Sequence, residues 1–151
     1  MGWLAGFAIA AVLLWSWIRH LRKRNGPDET LDRAAAPHMD GDGSFDFDIV
    51  GEASYQEALD TIAGGKTKKG HEIEVLATLV REPSNPHDGN AIAVIIEGRK
   101  VGYVARAEAK AISKMIDSCG YSQFTADAMI VGGWVDRKGE GHYGVKLDLP
   151  S

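Results

Sequence analysis

Between Arg81 and Asn90 the chain is a polar stretch holding two prolines, and from Ala91 it turns without a break into a strongly apolar run. Pro83 and Pro86 fix φ and push Glu82 and Asn85 toward extended geometry, so the polar half is stiff. Asn85, Asp88 and Asn90 carry short side chains that bond back to nearby backbone, which predicts a tight turn leading into Ala91. Ala91 to Ile96 is rich in β-branched residues, as in a strand buried on both faces. Glu97-Gly98-Arg99-Lys100 then reverses the chain into Val101 to Val104, a hairpin with Gly98 at positive φ. A stiff polar loop feeding a buried hairpin is the layout of a binding site on a β scaffold.

The flanking segments supply the rest of such a scaffold. Phe45, Phe47 and Ile49 alternate with Asp46 and Asp48, and His71 to Arg81 places Ile73, Val75, Ala77 and Leu79 on one face of a longer strand. Tyr55 to Ala63 reads as a short helix ended by Gly64-Gly65, with Ser54 and Glu57 spaced as a capping box. Arg106 to Cys119 reads as a longer helix with Ala109, Ile112, Met115 and Ile116 on one face and Gly120 as its stop. Phe124 to Val131 and Tyr143 to Leu149 are the last strands, joined by a polar stretch around Asp136 to Gly139. These pieces predict an α+β fold: a small β barrel with two helices.

The amino terminus is of another kind. Gly2 to Ile18 holds no charged residue and, at the rise of an α-helix, reaches roughly 25 Å, near the lower limit for crossing a bilayer. Arg19, His20, Arg22, Lys23 and Arg24 follow at once, so the positive-inside rule orients what comes after toward the cytoplasm. Trp3 at one end and Trp15 and Trp17 at the other suit the headgroup level. The expected organisation is a single-pass transmembrane anchor with its basic flank over residues 1–24, a flexible linker over 25–44, and a folded domain over 45–151. The expected location is an inner or plasma membrane, with the domain on the cytoplasmic side.

Composition narrows the chemistry. Cys119 is the only cysteine, which leaves no disulfide framework and no Cys-x-x-Cys metal site. His71, His87 and His142 are scattered, and no Gly-x-x-x-x-Gly-Lys-Ser/Thr loop is present. The expectation is a binding module with no cofactor and no metal, not an enzyme. From Phe45 onward there are 12 lysines and arginines against 16 aspartates and glutamates. Any nucleic-acid surface must therefore be a local one, and Lys66, Lys68 and Lys69, or Arg99, Lys100, Arg106 and Lys110, are the candidate clusters.

Ile49-Val50-Gly51-Glu52, Tyr55-Gln56, Leu79 to Val94 and Val101-Gly102-Tyr103-Val104 with Arg106 together resemble the HIRAN domain in order and spacing, over roughly residues 45 to 149. The resemblance implies an OB-like barrel that binds single-stranded DNA, in some members at a free 3′-hydroxyl end. It makes Asp88 the match to the carboxylate that accepts a hydrogen bond from the terminal hydroxyl. It makes Tyr55 and Tyr103 the flat side chains for base stacking. Arg81 and Arg106 are then candidate phosphate partners. The set expected to touch nucleic acid is Tyr55, Arg81, His87, Asp88, Asn90, Tyr103 and Arg106. His87 stands where the family often has tyrosine, and Ala53 and Ser54 stand where DNA-binding relatives have arginine and tyrosine. Two functions follow from this reading: a membrane-tethered module for single-stranded DNA or DNA 3′ ends, or a membrane adaptor that uses the same fold to bind a protein partner.

Overall fold

Burial of Ala91 to Ile96 on both faces governs the architecture, because a strand without a polar face must be covered on each side. In the computed structural model, which describes residues 36–150, this run is buried almost throughout, with only Ile95 partly exposed. The strands are β1 (His38–Met39), β2 (Phe47–Val50), β3 (His71–Arg81), β4 (Ile92–Ile96), β5 (Arg99–Val104), β6 (Gln123–Gly132), β7 (Val135–Asp136), β8 (Gly139–Glu140) and β9 (Tyr143–Asp148). Two α-helices, α1 (Gln56–Ala63) and α2 (Arg106–Cys119), join them.

Strands β6, β3, β4, β5, β2 and β9 pair in that order, and β9 pairs back onto β6, closing a six-stranded antiparallel barrel. Strand β9 covers β6 only from Asp127 onward, and β1 continues along the same edge in parallel, with His38 opposite Thr125 and Met39 opposite Ala126. His38 and Met39, in the stretch read as linker, thus form part of the barrel's edge. Gly43, a little further on, donates its N–H to both carboxylate oxygens of the buried Asp148 at 3.0 Å. The anchor expected over residues 2–18 lies outside the described residues. Among the described residues no helix is long and apolar enough to cross a membrane.

Helix α1 inserts the fully buried Leu59 into the core, and α2 inserts Ala109 and Ile116. Burying a side chain the size of Leu or Ile stabilises by roughly 1.5–3 kcal/mol. Helix α1 is pinned to β9 by Gln56, whose amide donates to the Tyr143 carbonyl at 2.9 Å and accepts from its N–H at 2.8 Å. The Tyr143 hydroxyl donates to Asp60 at 2.8 Å, and burial together with that carboxylate pushes its pKa up to about 12. The expected capping box is not formed. Residues Glu52–Ser54 make a 3-10 turn closed by backbone bonds, Ser54 N–H to Gly51 and Tyr55 N–H to Glu52, so Tyr55 takes the N-cap position and Ser54 lies one residue too early. The glycine stops after both helices adopt the left-handed conformation.

The hairpin between β4 and β5 turns on two residues with positive φ, Glu97 at 49° and Gly98 at 73°, the geometry whose twist matches paired strands. Beyond it the register slips: Ile95 faces Lys100 but Val94 faces Gly102, so Val101 is bulged out of β5. Gly102 sits at φ 158°, and a Cβ there would lie 2.6 Å from the Val50 carbonyl oxygen of β2. Gly102→Ala should therefore push β2 away from β5 and destabilise the protein by about 1–3 kcal/mol, read as a lower urea midpoint at unchanged slope.

Candidate nucleic-acid interface

The loop of residues 82–91 connects β3 to β4 and is closed on itself. Glu82 N–H bonds to the Ala91 carbonyl at 2.9 Å, Asn85 N–H to Glu82 at 3.0 Å, and Ala91 N–H to Asp88 at 3.0 Å. Asn85 Oδ1 accepts the N–H groups of His87 and Asp88, and Asp88 Oδ1 accepts that of Asn90 at 2.8 Å. The turn chemistry expected of these short side chains is thus what shapes the loop.

On one side of the loop stands a network around Tyr103. Its hydroxyl donates to Glu82 Oε2 at 3.1 Å and accepts from Lys100 Nζ at 3.0 Å. Lys100 also bonds Glu82 Oε1 at 2.6 Å and lies 4.9 Å from the centre of the Tyr103 ring. Asn85 Nδ2 donates to Glu82 Oε2 at 3.0 Å, so one side chain ties this network to the Asp88 turn. The Lys100 ammonium first, then the Asn85 and Tyr103 bonds, hold the Glu82 carboxyl below its ordinary range against the opposing effect of burial. Glu82 in turn holds Lys100 protonated well above the usual lysine range. Tyr55 enters beside them from the start of α1; burial chiefly raises its pKa, Tyr103 adds to this, and Lys100 opposes it.

On the other side Asp88 Oδ2 lies 3.5 Å from Arg106 Nε at the first residue of α2. The Asp88 side chain is 23% exposed and that of Arg106 is 82% exposed, so this pair is loose and open to water. Asn90 Oδ1 lies 3.3 Å from the hydroxyl of the buried Ser113 on α2, which leaves the Asn90 side chain a spacer between loop and helix. His87 is exposed at the loop's tip.

Of the seven residues expected to form the site, Asp88, Asn90 and Arg106 converge, and Tyr55 and Tyr103 gather one loop-width away. Arg81 points elsewhere. Its guanidinium makes two bonds of 3.0 Å to Asp117 on α2 and two more, at 3.0 and 3.4 Å, to the carbonyls of Gly89 and Ala91. With its side chain only 9% exposed and its donors engaged, Arg81 positions the loop. Glu82, Asn85 and Lys100 were absent from the expected set. Two-residue periodicity puts Lys100 and Tyr103 on opposite faces of a strand, and the bulge at Val101 brings them to the same side. The signal available was Gly98 of the turn with Gly102 four residues on, which marks a strand that departs from regular pairing.

The arrangement offers a partly exposed carboxylate, two phenol rings and an exposed guanidinium. Among the described residues no group of histidine, cysteine, aspartate and glutamate is placed to hold a metal ion. A closed OB-like barrel with a polar loop at its mouth belongs to a class that receives ligands through loops and aromatic faces. The HIRAN domain family matches residues 42–133, more than half of the sequence, and the chain belongs to that family. None of the curated proteins matches the sequence. Among solved structures, a Lactobacillus plantarum protein is similar at 20% identity, over 68% of this chain and 90% of its own, with a TM-score of 0.38.

The depressed carboxyl of Glu82 carries a stability consequence. Its folded-state pKa lies below the ordinary 4.5, so its contribution is present above that value and is lost as pH falls through the lower folded value. Glu82→Gln should remove this acid-side loss: its urea midpoint should fall less than that of the parent protein as pH drops from neutral to below 4.5.

Proposed function

We propose that the protein is a non-catalytic nucleic-acid-binding module that recognises single-stranded DNA at or near a 3′ end, held at the cytoplasmic face of an inner or plasma membrane. The observation that carries the first part is the partly exposed Asp88 carboxylate, fixed by the Asn90 N–H through one oxygen and facing the exposed Arg106 with the other. A carboxylate so placed accepts a hydrogen bond from a hydroxyl, and a guanidinium beside it neutralises a phosphate. Tyr103 and Tyr55 supply flat surfaces on which a base can stack. HIRAN domains are nucleic-acid-binding domains, and this chain keeps the loop, the aspartate and two aromatic positions.

Ala53 and Ser54, both exposed, leave one cation and one ring fewer on the adjacent turn. Lys100 stands near that gap with its charge balanced by Glu82. The module therefore binds less tightly than a site with both groups, and its affinity rests more heavily on Asp88 and Arg106. The membrane part is supported by the uncharged run of Gly2 to Ile18 and the basic residues after it.

Fluorescence anisotropy of residues 36–151 with single strands bearing free or 3′-phosphorylated ends tests the reading, over a salt series. Binding should weaken with rising salt as phosphate contacts are screened. Blocking the end, or Asp88→Ala, should each cost roughly 1.5–3 kcal/mol, the usual contribution of a hydrogen bond to a charged group. Binding that ignores both changes would rule out end recognition, and no binding at low salt would rule out the nucleic-acid reading. Separately, the full chain should stay with the membrane fraction through alkaline washing.

A further inference from the structure

A second surface, at the other end of the barrel, has the chemistry of a single-strand contact. The register rows fix the two ends: Arg81 pairs with Ile92 beside the motif loop, whereas His71, Gly132 and Tyr143 share the opposite row. Just beyond that row Trp134 is 41% exposed and its neighbour Val135 is 37% exposed. The polypeptide around Trp134 is held on both sides: Thr67 N–H bonds to the Gly133 carbonyl at 3.1 Å, Val135 N–H to Thr67 at 2.9 Å, and Gly141 N–H to Trp134 at 2.8 Å. Its indole packs over Gly141, where any Cβ would run into the ring. The ring is thus a positioned platform with an open side.

Cations flank it along the chain and on either side of Thr67, which bridges to Trp134. Residues 66–69 and 134–140 contain five lysines and arginines and two acids, in a domain whose overall balance is acidic. One acid, Glu140, is paired with Lys66 at 2.8 Å, and the other, Asp136, accepts the N–H groups of Lys138 and Gly139 to form the β7–β8 turn. Lys68, Lys69, Arg137 and Lys138 are exposed, and among the described residues none of them forms an ion pair. A fixed aromatic face among unpaired cations is what stacks a base while its phosphates lie against positive charge.

We infer that Trp134 with Lys68, Lys69, Arg137 and Lys138 forms a second, sequence-tolerant contact for single-stranded nucleic acid, separate from the motif loop. The choice of ligand class rests on the function proposed above; the surface itself does not. About ten residues of β3 separate the two ends, roughly 33 Å at strand rise, so a short strand cannot occupy both.

The test uses the full chain in detergent micelles with Trp3→Phe, Trp15→Phe and Trp17→Phe, which leaves Trp134 as the one tryptophan of four. A 3′-phosphorylated oligothymidine should quench its emission in a saturable, salt-sensitive way. Quenching should persist in Asp88→Ala and be lost in Lys68→Glu/Lys69→Glu, while Trp134→Ala in the parent chain should weaken binding of the same strand about tenfold. Unchanged emission would overturn the inference, as would quenching that survives the charge reversal. A response to anionic phospholipid vesicles with none to oligothymidine would overturn it too and make the surface a lipid contact. The motif-loop reading is judged by the free-end and Asp88→Ala comparison, so either site can fail while the other stands.

Discussion

Arg81, at the end of β3, joins the exit of the motif loop to the last turn of α2, 36 residues further along the chain. Its two bonds to Asp117 are charge-assisted and parallel, the geometry in which a guanidinium is most selective. Its remaining contacts fix the carbonyls of Gly89 and Ala91, so the loop is held from below as well as by its own turns. Without this clamp the loop would keep its prolines, its own turns and the Asn90–Ser113 contact, but Asp88 and Arg106 would lose the strongest part of the frame that keeps them adjacent.

The scaffold was largely legible in the sequence because its longest elements are strongly periodic. The strand from His71 to Arg81 and the helix from Arg106 to Cys119 have the bounds that alternation and the glycine stop imply. Asp88, Asn90 and Tyr103 were readable as a group because the loop and hairpin that carry them are local in the chain. What escaped depended on contacts between distant segments. Arg81 looks like a phosphate partner until Asp117, 36 residues away, is seen to fill its fork. The Glu82–Lys100 pair escaped because a bulge is a tertiary event, and Ser54 failed as a cap because backbone bonds closed a 3-10 turn ahead of the helix. His38 and Met39, with only a two-residue strand between them, carry too little pattern to distinguish an edge strand from a tether.

Charge in this domain is organised by neutralisation. Lys100 is matched by Glu82, Arg81 by Asp117, Lys66 by Glu140 and Lys146 by Asp48. An acidic total therefore coexists with surfaces of the opposite sign, and what a polyanion meets is the set of cations left over. Arg106 is the borderline member, loosely paired with Asp88 across 3.5 Å and open to water.

Closure of the barrel by the β6–β9 pairing also limits how any macromolecule can join it. Proteins often recruit partners by lending the open hydrogen-bonding edge of a sheet, and the same edges seed aggregation. Here part of the β6 ladder left bare beyond β9 is taken up by β1, which among the described residues is a terminal strand of two residues. Among the described residues main-chain pairing is thus left to the His71–Leu76 side of β3 that β4 does not reach, and elsewhere recognition falls to side chains and loop tips, where single substitutions retune it without unpicking the fold.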